Sequence, residues 1–276
     1  MTIESWLRQA TNELKEARIA SDYLDAEILL AHTIRHSRTW LHAHIDETLD
    51  DRQIEIANAR VDLRKSYVPI AYIIGHKDFY GRQFKVSPAT LIPRPESEAI
   101  IELLSQYLPD TQPLDTSIAS KRLVDIGTGS GCLGITAKLE HPELEVTLLD
   151  VSSDALRIAE KNAELLSASV TIQKSNLLAD YAFSPDIVLA NLPYVDESWE
   201  RSPETRHEPA MALFASDNGL KLVRKCFDQL SHRTNTGAVA IFEADPRQWD
   251  TIEKIAQSSG FTLDKKQRFV ASFIKT

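Results

Sequence analysis

The segment Val124-Asp125-Ile126-Gly127-Thr128-Gly129-Ser130-Gly131-Cys132 carries the strongest structural signal in this sequence. It lies between two apolar segments, which predicts a tight turn from a β-strand into a helix. Glycine lets the backbone approach a ligand closely, and the first turn of the following helix presents free N–H groups. Asp150 ends the next predicted strand, where a carboxylate can accept hydrogen bonds from ribose hydroxyls. The stretch therefore predicts a nucleoside-containing ligand at this turn.

Two such cofactors fit the turn. The segment from Gly129 to Gly134 matches the GxGxxG fingerprint of dinucleotide-binding proteins, which is a weak signal on its own. Asp125 stands two residues before the first glycine, and its carboxylate would repel a pyrophosphate. A carboxylate there suits a cationic ligand, such as the amino group and sulfonium of S-adenosylmethionine. An NAD-dependent oxidoreductase is the alternative, as is a turn that binds no ligand.

From residue 96 onward the chain alternates between strand and helix patterns. Strands are predicted at 122–126, 146–149, 170–172, 187–190 and 239–242, followed by an antiparallel pair at 262–263 and 268–274. Helices are predicted at 97–107, directly after the glycines, and at 153–166, 219–230 and 247–258. Such alternation predicts an α/β fold with a mostly parallel, Rossmann-like sheet and helices on both faces.

The first part of the chain has a different pattern. Apolar residues recur at helical spacing through residues 1–66, which predicts a small N-terminal helical bundle. Residues 67–95 contain short apolar runs separated by glycines, beginning with Tyr72-Ile73-Ile74, and predict a β-hairpin linker of two or three strands. We therefore expect a bundle at 1–66, a linker at 67–95 and an α/β domain at 96–276.

A second motif follows the predicted strand at 187–190. Asn191-Leu192-Pro193-Tyr194 would lie beyond the carboxyl end of that strand, where open α/β sheets bind their ligands. An amide or aromatic amino nitrogen is a poor nucleophile because its lone pair is delocalised. An Asn oxygen and a backbone carbonyl can accept both of its N–H bonds and hold it in line with a methyl donor. Pro193 restricts Leu192 to extended geometry, and the Tyr194 ring can pack against a planar group.

These segments together resemble a known family. DIGTGSG at 125–131, followed by NLPY at 191–194, resembles the class I methyltransferases that modify planar nitrogen, whose usual motif is Asn-Pro-Pro-Tyr. The upstream segments PIAYIIG at 69–75, FYG at 79–81 and LIPRPESE at 91–98 resemble the release-factor glutamine methyltransferases, as do DAE at 25–27, EP at 208–209 and DNGL at 217–220. The resemblance covers essentially the whole chain.

The resemblance implies a seven-stranded class I methyltransferase sheet and an N-terminal bundle that recognises the substrate. It implies methyl transfer from S-adenosylmethionine to the glutamine N5 atom of the Gly-Gly-Gln motif in peptide chain release factors. Cofactor binding would fall to Asp125, Gly127, Thr128, Gly129, Ser130, Gly131, Asp150, Asn176, Leu177 and Asn191. The catalytic motif would be Asn191, Leu192, Pro193 and Tyr194, which would contact the substrate together with Pro93, Arg94, Pro95 and Glu96.

Two residues depart from the family pattern. Leu192 replaces the first proline of the usual motif, so the backbone carbonyl is kept but rigidity is reduced. Asn176 stands where the family commonly has Asp, so an acceptor oxygen is kept and a charge is lost. Neither change removes an atom that the chemistry requires.

Composition and net charge limit the classes of ligand and partner that are expected for this protein. The net charge of −9 disfavours sequence-independent binding to nucleic acid, so no direct nucleic-acid substrate is expected. Cys132 and Cys226 form no CxxC pair, and the histidines show no metal spacing, so no metal is expected. The amphipathic N-terminus lacks the apolar core of a signal peptide, and no long apolar run occurs; a cytoplasmic protein without membrane contact is therefore expected.

Other functions stay open at this point. A methyltransferase could act on a glutamine of a ribosomal protein or on adenine N6 in DNA, although the acidic balance disfavours DNA. A non-catalytic protein that binds S-adenosylmethionine is a further alternative, with Leu192 and Asn176 as signs of decay.

Overall fold

The structure, a computed structural model, describes residues 1–108 and 120–276. These residues form two compact units. The first comprises Met1–His76 together with Arg201–His207, and the second comprises Lys77–Glu200 and Glu208–Thr276. The division thus falls ten residues after the expected boundary at 66, and it assigns a short segment of the expected α/β domain to the helical unit.

The first unit is helical, as predicted. Its helices are α1 (Ile3–Glu16), α2 (Asp22–Ile34), α3 (Arg38–Ala43), α4 (Asp51–Lys65) and α5 (Ile70–Ile74). Trp6, Leu14, Leu29 and Leu41 are among its fully buried side chains. The amphipathic spacing seen in the sequence therefore marks the faces that form this core.

The strand predicted at Tyr72-Ile73-Ile74 is wrong, because these residues belong to the short helix α5. Pro69 precedes the helix, and Gly75 ends it in the left-handed conformation with φ of 80°. Ile73 and Ile74 pack against the helical core, which explains why the helical unit extends to His76. A short apolar run bounded by proline and glycine fits a strand and a one-turn helix equally well. Packing of these residues against the helical core favours the helix.

A buried arginine ties the segment Arg201–His207 into the first unit. The Arg64 side chain is 5% exposed, and its Nε donates to Asp25 Oδ2 at 2.6 Å. Its second amino group donates to Glu204 Oε1 at 2.5 Å. A buried guanidinium requires acceptors for its N–H groups, and Asp25 and Glu204 each supply a carboxylate oxygen to a different nitrogen of Arg64.

The second unit contains a two-stranded hairpin and a seven-stranded sheet, which confirms the predicted α/β fold. The hairpin strands are β1 (His76–Phe79), which begins at the unit boundary, and β2 (Arg82–Lys85). The sheet strands are β3 (Arg122–Ile126), β4 (Glu145–Asp150), β5 (Thr171–Lys174), β6 (Ile187–Ala190), β7 (Val239–Glu243), β8 (Phe261–Gln267) and β9 (Val270–Lys275). The helices are α6 (Glu98–Ser105), α7 (Cys132–Glu140), α8 (Ser153–Leu165), α9 (Ala210–Leu213), α10 (Lys221–Arg233) and α11 (Trp249–Ser258).

The strand order places the functional ends of the strands side by side. The order is β5-β4-β3-β6-β7-β9-β8, with β9 antiparallel to both of its neighbours. Ile126 pairs with Leu149 on one side and with Ala190 on the other, and Ala190 pairs with Phe242. The residues that follow β3, β4, β6 and β7 therefore meet at one edge of the sheet, at the point where the strand order reverses.

Two apolar layers hold the sheet. Helices α6, α7 and α8 cover one face through residues such as Ile100, Leu133 and Ala159. Helices α10 and α11 cover the other face, where Phe227 stacks on Phe242 with ring centroids 4.6 Å apart. Strands buried on both faces read as continuous apolar runs, which is why β6 and β7 were visible in the sequence.

Candidate active site

The glycine loop after β3 is held against β4. The backbone N–H groups of Gly127 and Thr128 both donate to the Leu149 carbonyl, at 2.8 and 2.9 Å. Gly127, Gly129 and Gly131 have φ values of 71°, 57° and 82°, a region that favours glycine. A Cβ atom on Gly131 would lie 2.7 Å from Ile135 Cδ1, so glycine also permits α7 to pack closely at this point. The predicted tight turn into α7 is confirmed.

Asp125 lies behind the loop and not on the wall of the cavity that the loop borders. Its Oδ2 atom accepts hydrogen bonds from Thr128 Oγ1 at 2.6 Å and from the Gly134 N–H at 2.9 Å. Its Oδ1 atom is buried and has no hydrogen-bond partner within the described parts of the chain. Burial raises the pKa of Asp125 to about 6, against hydrogen bonds from Thr128 and Gly134 that lower it. Asp125 therefore braces the loop and leaves one acceptor unused.

Asp150, the last residue of β4, fixes the loop from the other side. Its Oδ2 accepts from the Gly129 N–H at 3.0 Å, and its Oδ1 accepts from the Ser152 N–H at 2.8 Å. Each carboxylate oxygen keeps a further lone pair, so Asp150 can still accept hydrogen bonds from a ligand in the cavity.

A cavity extends along the carboxyl ends of the strands. Most of the residues predicted from the sequence line it: Pro93, Arg94, Gly127, Thr128, Gly129, Ser130, Asp150, Asn176, Leu177, Asn191, Leu192 and Pro193. Ala89, Ser97, Cys132, Leu133, Val151 and Met211 are among the lining residues that were not predicted. Asp125, Gly131, Tyr194, Pro95 and Glu96 are not among its lining residues, and Pro95 and Glu96 are exposed. Substrate contacts by Pro95 and Glu96 stay a prediction.

The NLPY motif follows β6, so Asn191 lies next to the glycine loop. The Leu192 side chain is buried and belongs to the apolar core beneath the sheet edge. The Tyr194 hydroxyl donates to Glu243 Oε1 at 3.1 Å, and the Tyr194 carbonyl accepts from Gln248 Nε2 at 2.9 Å. Tyr194 thus anchors the turn that carries the motif.

Two buried polar residues that were not predicted stand beside the motif. Asn191 Nδ2 donates to Ser97 Oγ at 3.0 Å, and Ser97 Oγ donates to Glu243 Oε2 at 2.5 Å. Ser97 and Glu243 are each 2% exposed. Glu243 ends the otherwise apolar strand β7, so the rule that identified Asn191 at the end of β6 could also have found it.

Arg94 is positioned by a buried carboxylate. Its guanidinium donates to Glu208 Oε1 at 2.5 Å, and Glu208 Oε2 accepts from the Ile92 N–H at 3.2 Å. The Glu208 side chain is 2% exposed, whereas Arg94 is 36% exposed. Glu208 therefore fixes the loop that places Pro93 and Arg94 on the cavity wall.

Asn176 and Leu177 line the cavity next to β5. Asn176 Oδ1 accepts a hydrogen bond from Lys225 Nζ at 3.0 Å, and this amide oxygen keeps a second lone pair. Leu177 is buried with φ of 58°, an unusual value for a branched residue, so the surrounding structure imposes this backbone geometry. That the Asn176 oxygen accepts a hydrogen bond from a ligand stays a prediction.

The two cysteines are unreactive. Burial raises the pKa of both thiols to about 12, so they are neutral at physiological pH. Within residues 1–108 and 120–276, no group of three or more His, Cys, Asp and Glu side chains could hold a metal ion. In the same residues, no helix has the length and apolar character needed to cross a membrane.

The sheet and the loop distinguish between the two cofactor classes. Dinucleotide-binding sheets are parallel throughout in the order 3-2-1-4-5-6, whereas here antiparallel β9 is inserted beside β7. The glycine loop is flanked by Asp125 and Asp150, and among the described lining residues Arg94, already paired with Glu208, is the only Arg or Lys. A pyrophosphate would meet carboxylates here. The fold and the loop are those of a class I, Rossmann-like methyltransferase.

Two family models match separate parts of the chain. The model described as "PrmC N-terminal domain" matches residues 5–75, and the model described as "Methyltransferase small domain" matches residues 100–213. A release factor glutamine methyltransferase from Koribacter versatilis is 31% identical, with 94% of this chain and 96% of the relative covered. The Escherichia coli release factor glutamine methyltransferase is also 31% identical, with 95% and 92% covered. The chain belongs to the release factor glutamine methyltransferase family.

Other relatives differ in length or share only the fold. The chain spans about half (52%) of a bifunctional methyltransferase from Rickettsia bellii, to which it is 30% identical over 95% of its own length. A solved methyltransferase structure from Pyrococcus furiosus has a TM-score of 0.52 at 18% identity, with 79% of this chain and 95% of that chain covered. That similarity confirms the class of fold that the strand pattern predicted.

Proposed function

We propose that this protein transfers a methyl group from S-adenosylmethionine to the glutamine amide nitrogen of the Gly-Gly-Gln motif in peptide chain release factors. Asn191 carries this proposal. It follows β6 at the reversal of strand order, it lines the cavity, and its Nδ2 atom is bonded to Ser97, so its Oδ1 atom is available to a ligand. A free amide oxygen beside a cofactor loop is what recognition of a planar N–H donor needs.

The residues around the glycine loop fit the cofactor. The Asp125 carboxylate is buried behind the loop, and its negative charge acts across the loop in favour of a ligand that carries an ammonium and a sulfonium. Asp150 has free lone pairs for ribose hydroxyls, and the apolar Leu177 and Val151 border a region suited to a planar base. When bound, S-adenosylmethionine supplies an electrophilic methyl group.

The protein contributes positioning and hydrogen-bond acceptors. Asn191 Oδ1 and the Leu192 carbonyl accept the two N–H bonds of the glutamine amide and orient its nitrogen toward the glycine loop. As the nitrogen gains positive charge, both acceptors bind it more strongly, which lowers the barrier. The proton leaves to water after transfer, so no general base is required.

The part of the cavity wall that contains Arg94 contacts the protein substrate. Arg94 is 36% exposed and held in place by Glu208, so its remaining N–H groups can donate to backbone carbonyls near the target glutamine. The predicted roles of Pro95 and Glu96 belong to the same surface loop and are part of this proposal.

A panel of acceptors tests the substrate. Purified protein and radiolabelled S-adenosylmethionine are incubated with a release factor, the same factor with Gln→Ala in its Gly-Gly-Gln motif, a ribosomal-protein preparation and adenine-containing DNA. Label confined to the intact release factor supports the proposal. Label on the Gln→Ala factor, on ribosomal protein or on DNA would reassign the substrate, and cofactor binding without any label would indicate a non-catalytic protein.

A further inference from the structure

A chain of four polar side chains runs beneath the NLPY motif. Asn191 Nδ2 contacts Ser97 Oγ at 3.0 Å, Ser97 Oγ contacts Glu243 Oε2 at 2.5 Å, and the Tyr194 hydroxyl contacts Glu243 Oε1 at 3.1 Å. Asn191 also hydrogen-bonds to Glu243. Ser97 and Glu243 are almost fully buried, so water does not substitute for these partners.

The chemistry of these groups fixes the direction of each hydrogen bond. An ionised carboxylate only accepts, so Ser97 and Tyr194 must donate their hydroxyl hydrogens to Glu243. The single Ser97 hydrogen is then used, and Ser97 can only accept from its other neighbour. Asn191 must therefore direct its NH2 group toward Ser97, and its Oδ1 atom must point the other way. The two orientations of an amide are nearly identical in shape, and only its partners distinguish them.

We propose that Glu243, both directly and through Ser97, is a positioning residue that sets the orientation of the Asn191 amide and thereby presents an acceptor to the methyl-accepting nitrogen. Without Glu243 as an obligatory acceptor, the Ser97 hydroxyl could donate to Asn191, and the amide could turn its NH2 group into the cavity. An NH2 group there would oppose the N–H bonds of a glutamine amide. This inference rests on the proposed function for its substrate and on the hydrogen-bond network for its geometry.

The ionised form of Glu243 has support in the same network. Burial is the largest effect and raises the pKa of Glu243 above its ordinary value, with nearby Glu96 adding to the rise; hydrogen bonds from Ser97, Tyr194 and Asn191 oppose it and favour the ionised form. The hydroxyl of Tyr194 stays protonated because burial and the Glu243 charge raise its pKa well above the ordinary value. A donor that keeps its hydrogen and two further donors converge on one carboxylate, which is the arrangement that a buried anion needs.

The test replaces the carboxylate with an isosteric amide. Glu243→Gln keeps the size of the side chain but adds a donor. The donor and acceptor roles in the hydrogen bonds that join position 243, Ser97 and Asn191 are then no longer fixed. Ser97→Ala removes the relay, and Ser97→Thr keeps its hydroxyl. Glu253→Gln, which alters a partly exposed glutamate paired with Lys266 on α11, is the matched control.

Two measurements test the orientation of the Asn191 amide separately from the methylation activity. In protein labelled with 15N-asparagine, the Asn191 side-chain NH2 signal is assigned by its loss in Asn191→Ala. We expect slow solvent exchange of this signal in the wild type, Ser97→Thr and Glu253→Gln, and a shifted, faster-exchanging signal in Glu243→Gln and Ser97→Ala. An Asn191 signal in Glu243→Gln and Ser97→Ala that coincides with the wild type would overturn the inference, whatever the substrate.

Kinetics give the second readout. We expect kcat for release-factor methylation to fall about 10- to 100-fold in Glu243→Gln, with the affinity for cofactor changed less than about twofold, because the missing interaction is made in the transition state. Equal kcat values in Glu243→Gln and the wild type would also overturn the inference. A wild type that methylates no release factor would instead refute the proposed function, and the amide signals would still decide the geometry.

Discussion

The Leu192 side chain packs against the glycine loop, and its Cδ2 atom lies 3.2 Å from the position that a Cβ atom would occupy on Gly127. Leu192 is the residue that replaces the first proline of the usual family motif. Its burial at 3% exposure shows how the turn is held without a second proline ring. Packing against the loop restricts Leu192 here, so the cofactor loop and the substrate motif are in direct contact.

This contact predicts a specific effect of Gly127→Ala. The φ of 71° costs alanine about 1–2 kcal/mol, and the added methyl group must also displace Leu192. Gly237→Ala is the control, because Gly237 has φ of 87° but no heavy atom within 4 Å of the added Cβ. In urea unfolding, we expect Gly127→Ala to cost roughly 1 kcal/mol more than Gly237→Ala. This excess should shrink when both variants are made in a Leu192→Ala background, and an unchanged excess would contradict the contact.

The buried Asp125 predicts a dependence of stability on pH. Its ordinary pKa is 3.8, and burial raises the folded value to about 6. Between these pH values the folded protein holds a proton that the unfolded chain has released. Rising pH through this window therefore favours unfolding, by about 3 kcal/mol in total at about 1.4 kcal/mol per pH unit. Below pH 4 this destabilisation is absent, and above pH 6 it is complete.

Comparing the unfolding free energies of the wild type and Asp125→Asn as a function of pH measures the contribution of Asp125 ionisation to stability. The unfolding free energy of the wild type should decrease relative to the variant between about pH 4 and pH 6, and the difference should level off above that. Bound cofactor should stabilise the wild type more than the variant at pH 8, because its cationic groups compensate the buried charge. Parallel pH profiles for the two proteins would show that Asp125 is not the titrating group.

We predict that Asn176→Asp increases the affinity for S-adenosylmethionine. The one side-chain oxygen of Asn176 is shared with Lys225, so a single lone pair of a neutral amide remains for an adenine amino group. Asn176→Asp pairs one oxygen with Lys225 and frees the other as an acceptor. We expect S-adenosylmethionine to bind about 5- to 10-fold more tightly by calorimetry, which corresponds to one hydrogen bond of about 1 kcal/mol. The exposed Asn235→Asp should leave affinity unchanged, and weaker binding by Asn176→Asp would refute the prediction.

The sequence predicted the elements whose signals are local. The glycine loop, Asp150 at the end of β4 and Asn191 at the end of β6 lie where the alternation of strands and helices predicted. The partners of Asn191 were missed because they come from distant segments: Ser97 is 94 residues away, and Glu243 is 146 residues from Ser97. Contacts of this kind are set by the order of strands in the sheet, which periodicity alone does not give.

Other differences arise from tertiary packing. The segment at 70–74 was predicted as a strand, yet its isoleucines complete the core of the helical unit. Residues 201–207 were assigned to the α/β domain by position alone, whereas Glu204 is a partner of buried Arg64. The position of Asp125 behind the loop, where Thr128 and Gly134 donate to it, could not be read from its place in the sequence, and its role toward the cofactor stays a prediction.

Asn191 is proposed to bind the glutamine that becomes methylated, and mapping the modified residue by mass spectrometry tests this role. Release factor is incubated with S-adenosylmethionine and the wild type, Asn191→Ala or the exposed-site control Asn235→Ala, and its peptides are then sequenced. We predict one added methyl group on the Gly-Gly-Gln glutamine with the wild type and the control. With Asn191→Ala the rate should be at least about 100-fold lower while cofactor still binds. Methylation of that glutamine at an undiminished rate by Asn191→Ala would contradict the account.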